Sequence, residues 1–307
     1  MSDSELRTSP NPLVFDADSS GRVDKLVGER FPQASRKRLA QLFAQRMVRV
    51  DGKKVKKGHQ VHEGQRIALD KPPISDEDLR AVAVEGPLQV VYEDEHLVAF
   101  VKPQGMPTYP LLAGETGTLA NFVVHKYPEC AKIGNDPREA GFAHRLDADT
   151  SGLLIAARTS DVWNALRDAF AGGNIQKTYL AVVEGRPIGS ECESELLQDG
   201  KRVRVDYAGL EAYTTWEELV RTETFTLLSC QAHTGRMHQV RAHLSHCGSP
   251  IAGDVLYEGT EHEGLAGHFL HGSELHLTHP VTGEPLSLKA PLPEERAAWL
   301  AKHGLKL

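Results

Sequence analysis

Residues 144–155 read His144-Arg145-Leu146-Asp147-Ala148-Asp149-Thr150-Ser151-Gly152-Leu153-Leu154-Ile155. Acid, base and hydroxyl groups crowd the first eight positions and then give way to an apolar run, the pattern of a polar loop feeding a buried strand over 152–158. A carboxylate at a strand entrance beside an arginine can be desolvated and still held ionised, which suits a nucleophile or a base. The same pattern also fits a capped turn with a structural ion pair. After the strand, 161–171 has helical spacing and is stopped by Gly172-Gly173. Before it, apolar runs at 88–92 and 96–102 flank Glu93-Asp94-Glu95 as a hairpin, and 118–126 reads as a helix capped by Thr118. Further on, 177–184, 202–207, 211–220 and 224–231 are four consecutive strand candidates. A helix over 236–247 and a hairpin of 274–279 with 285–289 follow. Strands in succession without intervening helices favour a largely antiparallel or mixed sheet over a doubly wound parallel one, so the expected class is α+β.

Two more clusters place polar groups in apolar surroundings. In Lys177-Thr178-Tyr179-Leu180-Ala181-Val182-Val183-Glu184-Gly185 the odd positions share one strand face, putting Lys177 and Tyr179 side by side. That tyrosine is suited to stacking on a base or moving a proton, or simply to packing. In His233-Thr234-Gly235-Arg236-Met237-His238-Gln239-Val240-Arg241-Ala242-His243-Leu244 a polar loop runs into a helix, and Arg241 can offer a planar donor fork to a carboxylate. Metal ligation by these histidines is disfavoured. His238 and His243 are five residues apart, which turns them away from one helical face, and no H-E-x-x-H pattern occurs.

The charge is unevenly distributed. Between Arg22 and Arg66 thirteen basic side chains face four acidic ones, a balance of +9, which leaves -16 for the remainder of a chain of net charge -7. This basic segment reads as two short helices, the second N-capped by Ser35, then a strand at 48–50, an Asp51-Gly52 turn and a strand at 61–69. Arg36, Lys37 and Arg38, with Lys53 and Lys54, are candidates for contacts to phosphates. Pro72-Pro73 and the acidic residues beyond them suggest a linker. The expected organisation is an extension over 1–20, a basic module over 21–70, a linker over 71–86 and a large domain over 87–307. Composition excludes several classes: at 307 residues, 40% hydrophobic and 25% charged, the chain is neither disordered nor a disulfide miniprotein, and its four cysteines form no C-x-x-C pair. No apolar run approaches the roughly 20 residues of a membrane span, and Met1 to Arg7 has no apolar signal segment, so the cytoplasm is the expected compartment.

These clusters resemble the RluA family of RNA pseudouridine synthases over roughly residues 88–293. The family pattern H-R-L-D-x-x-T-S-G-L-L is complete at His144 to Leu154. Also similar are the alternating Lys177 to Gly185 strand, the Thr234 to Leu244 segment, Gly253-Asp254-x-x-Tyr257, Leu270-His271, His279-Pro280-x-Thr282-Gly283 and Ala290-Pro291-Leu292-Pro293. Val101-Lys102-Pro103 departs from the usual Asn-Lys-Pro, and Gly105 to Pro110 is looser than the family's pattern. The basic module resembles an S4 RNA-binding domain.

The resemblance implies an isomerase that breaks the bond from ribose to uracil N1 and rejoins the ring through C5, with no cofactor and no metal. It implies Asp147 as the catalytic aspartate, Tyr179 as the tyrosine packed on the uracil, and Arg241 as the partner of Asp147. Arg145 would fill the space left by a flipped uridine, while Lys102, Lys177, Arg236 and His238 would line a basic RNA-binding cleft. The S4-like module points to large-subunit (23S) ribosomal RNA. Transfer RNA is the alternative substrate, and a non-catalytic RNA-binding or ribosome-assembly factor the alternative class. A monomer with RNA as its partner and no membrane contact is expected.

Overall fold

The computed structural model describes residues 13–306 apart from 33, 35, 72 and 74–78. They form two units: the chain leaves the first at Arg80 and enters the second at Ala81, and Pro110–Glu115 groups with the first. The first contains β1 (Leu13–Asp16), β2 (Gly21–Arg22), α1 (Val23–Arg30), α2 (Arg36–Ala44), β3 (Val48–Val50), β4 (Lys53–Lys54), β5 (Gln60–Val61) and β6 (Arg66–Leu69). Four strands make an antiparallel sheet in the order β1-β6-β3-β4. Val48 and Val50, with Ile67 and Leu69, turn inward on alternate positions and meet Val23, Val27, Leu42 and Phe43 from the helices. The β3–β4 turn is the one Asp51-Gly52 foretells, with φ of 48° and 77° at its two residues.

Two expectations change here. The strand expected over 61–69 is broken into β5 and β6, because a turn ending at Gly64 (φ 80°) interrupts it. The extension expected over 1–20 gives up Leu13–Asp16 to the sheet, where β1 pairs with β6 from Leu13 opposite Leu69 to Asp16 opposite Arg66. Residues 1–12 and the Ser35 cap lie outside the described residues.

The second unit begins earlier than Pro87: Asn121 Nδ2 donates to the Val82 carbonyl at 2.8 Å, and the Val84 N–H to the Asn121 carbonyl at 3.2 Å. Its elements are β7 (Gln89–Glu93), β8 (Leu97–Lys102), α3 (Leu119–Lys126), β9 (Ser151–Ala157), α4 (Ser160–Ala171), β10 (Gln176–Glu184), β11 (Glu191–Glu193), β12 (Leu196–Asp199), β13 (Arg202–Val205), β14 (Tyr213–Arg221), β15 (Phe225–Ala232), α5 (Gln239–His246), β16 (Leu270–Thr278), β17 (Pro285–Lys289) and α6 (Glu294–Lys302). The main sheet runs β11-β14-β15-β10-β16-β9-β8-β7, with β17 also on β16. Its pairs are antiparallel except β9 with β16, so the sheet is mixed and the class is α+β. β12 and β13 form a separate ribbon rather than joining that sheet.

β8 and β9 are buried at every position because both of their faces are covered. Leu97, Ala99, Val101, Leu153 and Ile155 face the α4 side chains Val162, Trp163 and Leu166. The alternate residues Val98, Phe100, Leu154 and Ala156 face Leu119, Val123 and Val124 of α3. Helix α3 is capped by Thr118 as its sequence indicates, and Asn121 completes a capping box. At the parallel junction Gly152 sits opposite Gly272 with φ 127°, and a Cβ there would lie 2.3 Å from the Gly272 carbonyl oxygen. Only glycine lets the two strands close at the point where the 144–150 loop enters the sheet.

The β7–β8 turn is fixed by Asp94, which accepts from Tyr92 Oη at 2.6 Å, the His96 and Leu97 N–H groups at 2.7 and 2.8 Å, and pairs with His279 Nε2 at 2.9 Å. Burial pushes its carboxyl up, but these bonds outweigh burial and hold it down at about 2. A depressed carboxyl contributes stability above its unfolded value near ~4 and loses it as the pH falls through the folded value. Asp94→Asn is therefore expected to flatten the pH dependence of urea unfolding below pH ~4, with little change in that dependence near neutrality.

Candidate active site

Asp147 stands in the loop between Leu146 and Gly152, and five side chains outside the loop hold it in place. Thr108 Oγ1 donates to the Leu146 carbonyl at 2.9 Å, and the Leu146 N–H lies 3.2 Å from the same oxygen. Thr150 pairs through Oγ1 with His268 Nε2 at 2.8 Å, and Ser151 through Oγ with His271 Nδ1 at 2.9 Å. Since His271 Nε2 must donate to the Ala290 carbonyl, 3.3 Å away, its Nδ1 accepts the Ser151 proton. Burial depresses both imidazoles, His268 to about 2 and His271 to about 4, so they act as neutral hydrogen-bond partners. Arg296 of α6 donates through Nη2 to the carbonyls of His268 at 2.8 Å and Asp149 at 3.3 Å.

Lys102 is the fifth clamp, and its position corrects the expectation that it binds RNA. Its side chain is completely buried, and Nζ donates to the carbonyls of Pro103 at 2.9 Å, Met106 at 2.8 Å and Ala148 at 2.8 Å. All three ammonium hydrogens are engaged, so none remains for a phosphate. Burial pulls the group down to about 7, while Asp147 and Asp149 pull it up. A neutral amine has only two hydrogens for three carbonyls, which favours the charged form. Lys102→Met is expected to strip three partly buried carbonyls of their charged donor and cost about 1–3 kcal/mol by urea unfolding. It should also lower activity, because Ala148 adjoins Asp147.

Asp147 meets the side chains of α5. Arg241 Nη1 donates to Asp147 Oδ2 at 2.8 Å, while its Nε and Nη2 form a fork on Asp254, at 2.7 and 2.8 Å. The side chain of Asp254 is 1% exposed and that of Arg241 7%, whereas that of Asp147 keeps 21%. Burial works against the Arg241 charge, but the two carboxylates more than offset this and raise its pKa. His238 Nε2 lies 3.6 Å from the other oxygen, Asp147 Oδ1. The helix expected from Arg236 begins only at Gln239, because His238 adopts a left-handed backbone (φ 52°, ψ 21°). Thr234, Gly235 and Arg236 therefore stay in a loop, tied by Gln239 Oε1 accepting from Thr234 Oγ1 at 2.6 Å and from the Arg236 N–H at 3.0 Å.

A cavity of about 640 Å³ opens over Asp147, large enough for a nucleotide, and Tyr179, Arg145, Lys177, Arg236 and His238 all line it. Burial and the Asp147 charge both push the Tyr179 phenol above its ordinary value, so it remains protonated. Arg145 is exposed, with its guanidinium 5.3 Å from the Tyr109 ring centroid and Nη1 3.3 Å from Tyr109 Oη. Lys177 is nearly buried and donates to the Thr234 carbonyl at 2.7 Å; burial and Arg236 lower it to about 8. His144, also in the cavity wall, accepts the Ile155 N–H on Nε2 at 3.1 Å, and burial depresses it to about 3. In the first unit Arg36, Lys37, Arg38, Lys53 and Lys54 are exposed. Sequence reasoning gave no role to Asp254, Tyr257, His268 or Arg296. Asp254 and Tyr257 sat in a motif that marked them without saying what they touch, and α6, which carries Arg296, was missed altogether.

Asp147, held by the buried Arg241, thus shares its cavity with the protonated Tyr179 phenol and with Arg145, Lys177, Arg236 and His238, a carboxylate among cations and hydrogen-bond donors. Comparisons with known proteins identify the family. The RNA pseudouridylate synthase family model matches residues 96–246. The "Ribosomal large subunit pseudouridine synthase D" of Xanthomonas campestris pv. campestris is 32% identical over 310 residues, covering 95% of this chain and 91% of that protein. The "Uncharacterized RNA pseudouridine synthase YlyB" of Bacillus subtilis is 32% identical, covering 93% of this chain and 96% of that protein. Among solved structures, "Human RNA Pseudouridylate Synthase Domain Containing 4" shares the fold, with TM-score 0.57 and 23% identity over 71% of this chain and 92% of that one. The chain belongs to the RluA family of RNA pseudouridine synthases, isomerases that convert uridine to pseudouridine in RNA.

Proposed function

We propose that the chain modifies uridines of large-subunit ribosomal RNA and that Asp147, Tyr179 and Arg241 are its catalytic residues. The observation that carries the site assignment is the asymmetric grip on Asp147: Oδ2 is tied to Arg241 at 2.8 Å, and the carboxylate still reaches the cavity. The target base must leave its stack to enter. Tyr179 then packs against the uracil, with its phenol held in the protonated form at rest by burial and the Asp147 charge. Asp147 acts at the anomeric carbon as nucleophile, base or stabiliser of positive charge. Arg145, exposed beside it, takes the place vacated in the RNA, and Lys177, Arg236 and His238 contact the backbone or the base.

Large-subunit RNA is favoured because several relatives matched over most of their length carry that substrate in their names. The first unit supports it with an S4-like order of two helices and a basic hairpin. There Arg36, Lys37, Arg38, Lys53 and Lys54 bind phosphates. The enzyme acts as a monomer in the cytoplasm, and no described helix is long and apolar enough to cross a membrane. Pseudouridine maps of ribosomal and transfer RNA from cells with and without the gene test this reading. Loss confined to large-subunit RNA, restored by the wild-type gene, is expected; loss in transfer RNA would replace the substrate, and an unchanged map would remove it.

A further inference from the structure

Tyr257 lies outside the residues assigned to catalysis, yet its hydroxyl is 2.9 Å from His238 Nδ1 and accepts the Val203 N–H, also at 2.9 Å. An amide N–H can only donate. The phenolic oxygen therefore uses its acceptor capacity on Val203, and its own proton is free for the imidazole. With Nδ1 accepting that proton, the hydrogen of a neutral His238 ring sits on Nε2, the nitrogen 3.6 Å from Asp147 Oδ1. Burial lowers His238 against the opposing pull of Asp147, which favours this neutral ring.

We propose that Tyr257 is a positioning residue: through His238 it fixes an Nε2–H donor toward Asp147 Oδ1, leaving that oxygen steered but not consumed. The inference rests on the pseudouridine synthase reading of the cavity. Asp147 thereby has two unlike oxygens. Oδ2 is committed to Arg241 at 2.8 Å, while Oδ1 faces a donor just beyond hydrogen-bond distance and stays available to the sugar. Two further observations point the same way. His238 holds a left-handed backbone, uncommon for a residue other than glycine and concentrated at functional sites. The Tyr257 ring also supports both partners of Asp147, since the Arg241 guanidinium lies 5.0 Å from its centroid and the His238 ring meets it edge-on at 5.7 Å.

Tyr257→Phe keeps those ring contacts and deletes only the hydroxyl. In the full-length protein labelled with 15N-histidine, wild-type His238 is expected to show a proton-bearing Nε2 and a bare Nδ1, and Tyr257→Phe a mixture of the two tautomers. With large-subunit RNA as substrate, Tyr257→Phe is expected to lower kcat roughly tenfold, the kinetic equivalent of one hydrogen bond, with KM within about twofold. His238→Gly removes the ring and tolerates the left-handed backbone. In that background Tyr257→Phe should change kcat less than about twofold, because a residue acting through His238 has nothing left to act on. A proton on Nδ1 in the wild type overturns the proposal. So does an unchanged kcat in Tyr257→Phe, or an equal loss in both backgrounds. Absence of pseudouridine from the wild-type reaction would instead reject the substrate reading, while the nitrogen spectrum would still decide the tautomer.

Discussion

Asp147→Asn is expected to lower single-turnover pseudouridine formation by at least ~10³-fold while leaving the fold and RNA affinity in place. The substitution is isosteric, and the side chain is one-fifth exposed, so no cavity opens. The amide oxygen can still accept from Arg241 Nη1, which keeps the fork on Asp254 intact. What disappears is the negative charge beside the anomeric carbon. An amide neither attacks that carbon nor removes a proton nor offsets positive charge there, so the loss is expected whichever role the carboxylate plays. The measurement is conversion of bound RNA at saturating enzyme, with affinity read by filter binding. Retained turnover within tenfold of wild type would mean that the reacting group is another residue of the cavity.

The parts of this site visible in the sequence are those whose chemistry is local. The polar loop of 144–151 followed by an apolar run announced a loaded strand entrance, and it is one. Thr118 announced a helix start and Asp51-Gly52 a turn, because a cap and a two-residue turn depend on side chains within a few positions. Lys102 was misread for the opposite reason. A lysine at a strand end looks like a surface cation, and only the fold brings Pro103, Met106 and Ala148 round it. The helix start at 236 was misjudged because apolar spacing continues through Met237, while the left-handed turn at His238 follows from tertiary contacts to Tyr257 and Asp147. Asp254 is 13 residues from Arg241 and 107 from Asp147, a triad of charges that no periodicity exposes.

That triad governs the second large effect, which falls on stability as well as rate. Arg241→Met leaves Asp254, whose side chain is 1% exposed, without either of its charged hydrogen bonds. Removing one partner of a buried pair typically costs about 3–5 kcal/mol, because the remaining charge stays desolvated and uncompensated. The same change frees Asp147 from its 2.8 Å anchor, so activity should fall as well. Replacing both partners separates the two consequences. Arg241→Met with Asp254→Leu exchanges the buried pair for apolar groups of similar volume, and such exchanges are often close to neutral. The double variant is therefore expected to recover most of the unfolding free energy lost by Arg241→Met, yet to remain as slow as the single variant. Recovery of both would make the arginine a structural counter-ion alone. Recovery of neither would mean that the Asp254 end of the network serves packing around Tyr257 rather than charge balance. Stability regained without activity is the outcome that assigns Arg241 to the reaction, since the double variant then has its fold back but neither the grip on Asp147 nor the guanidinium beside the Tyr257 ring.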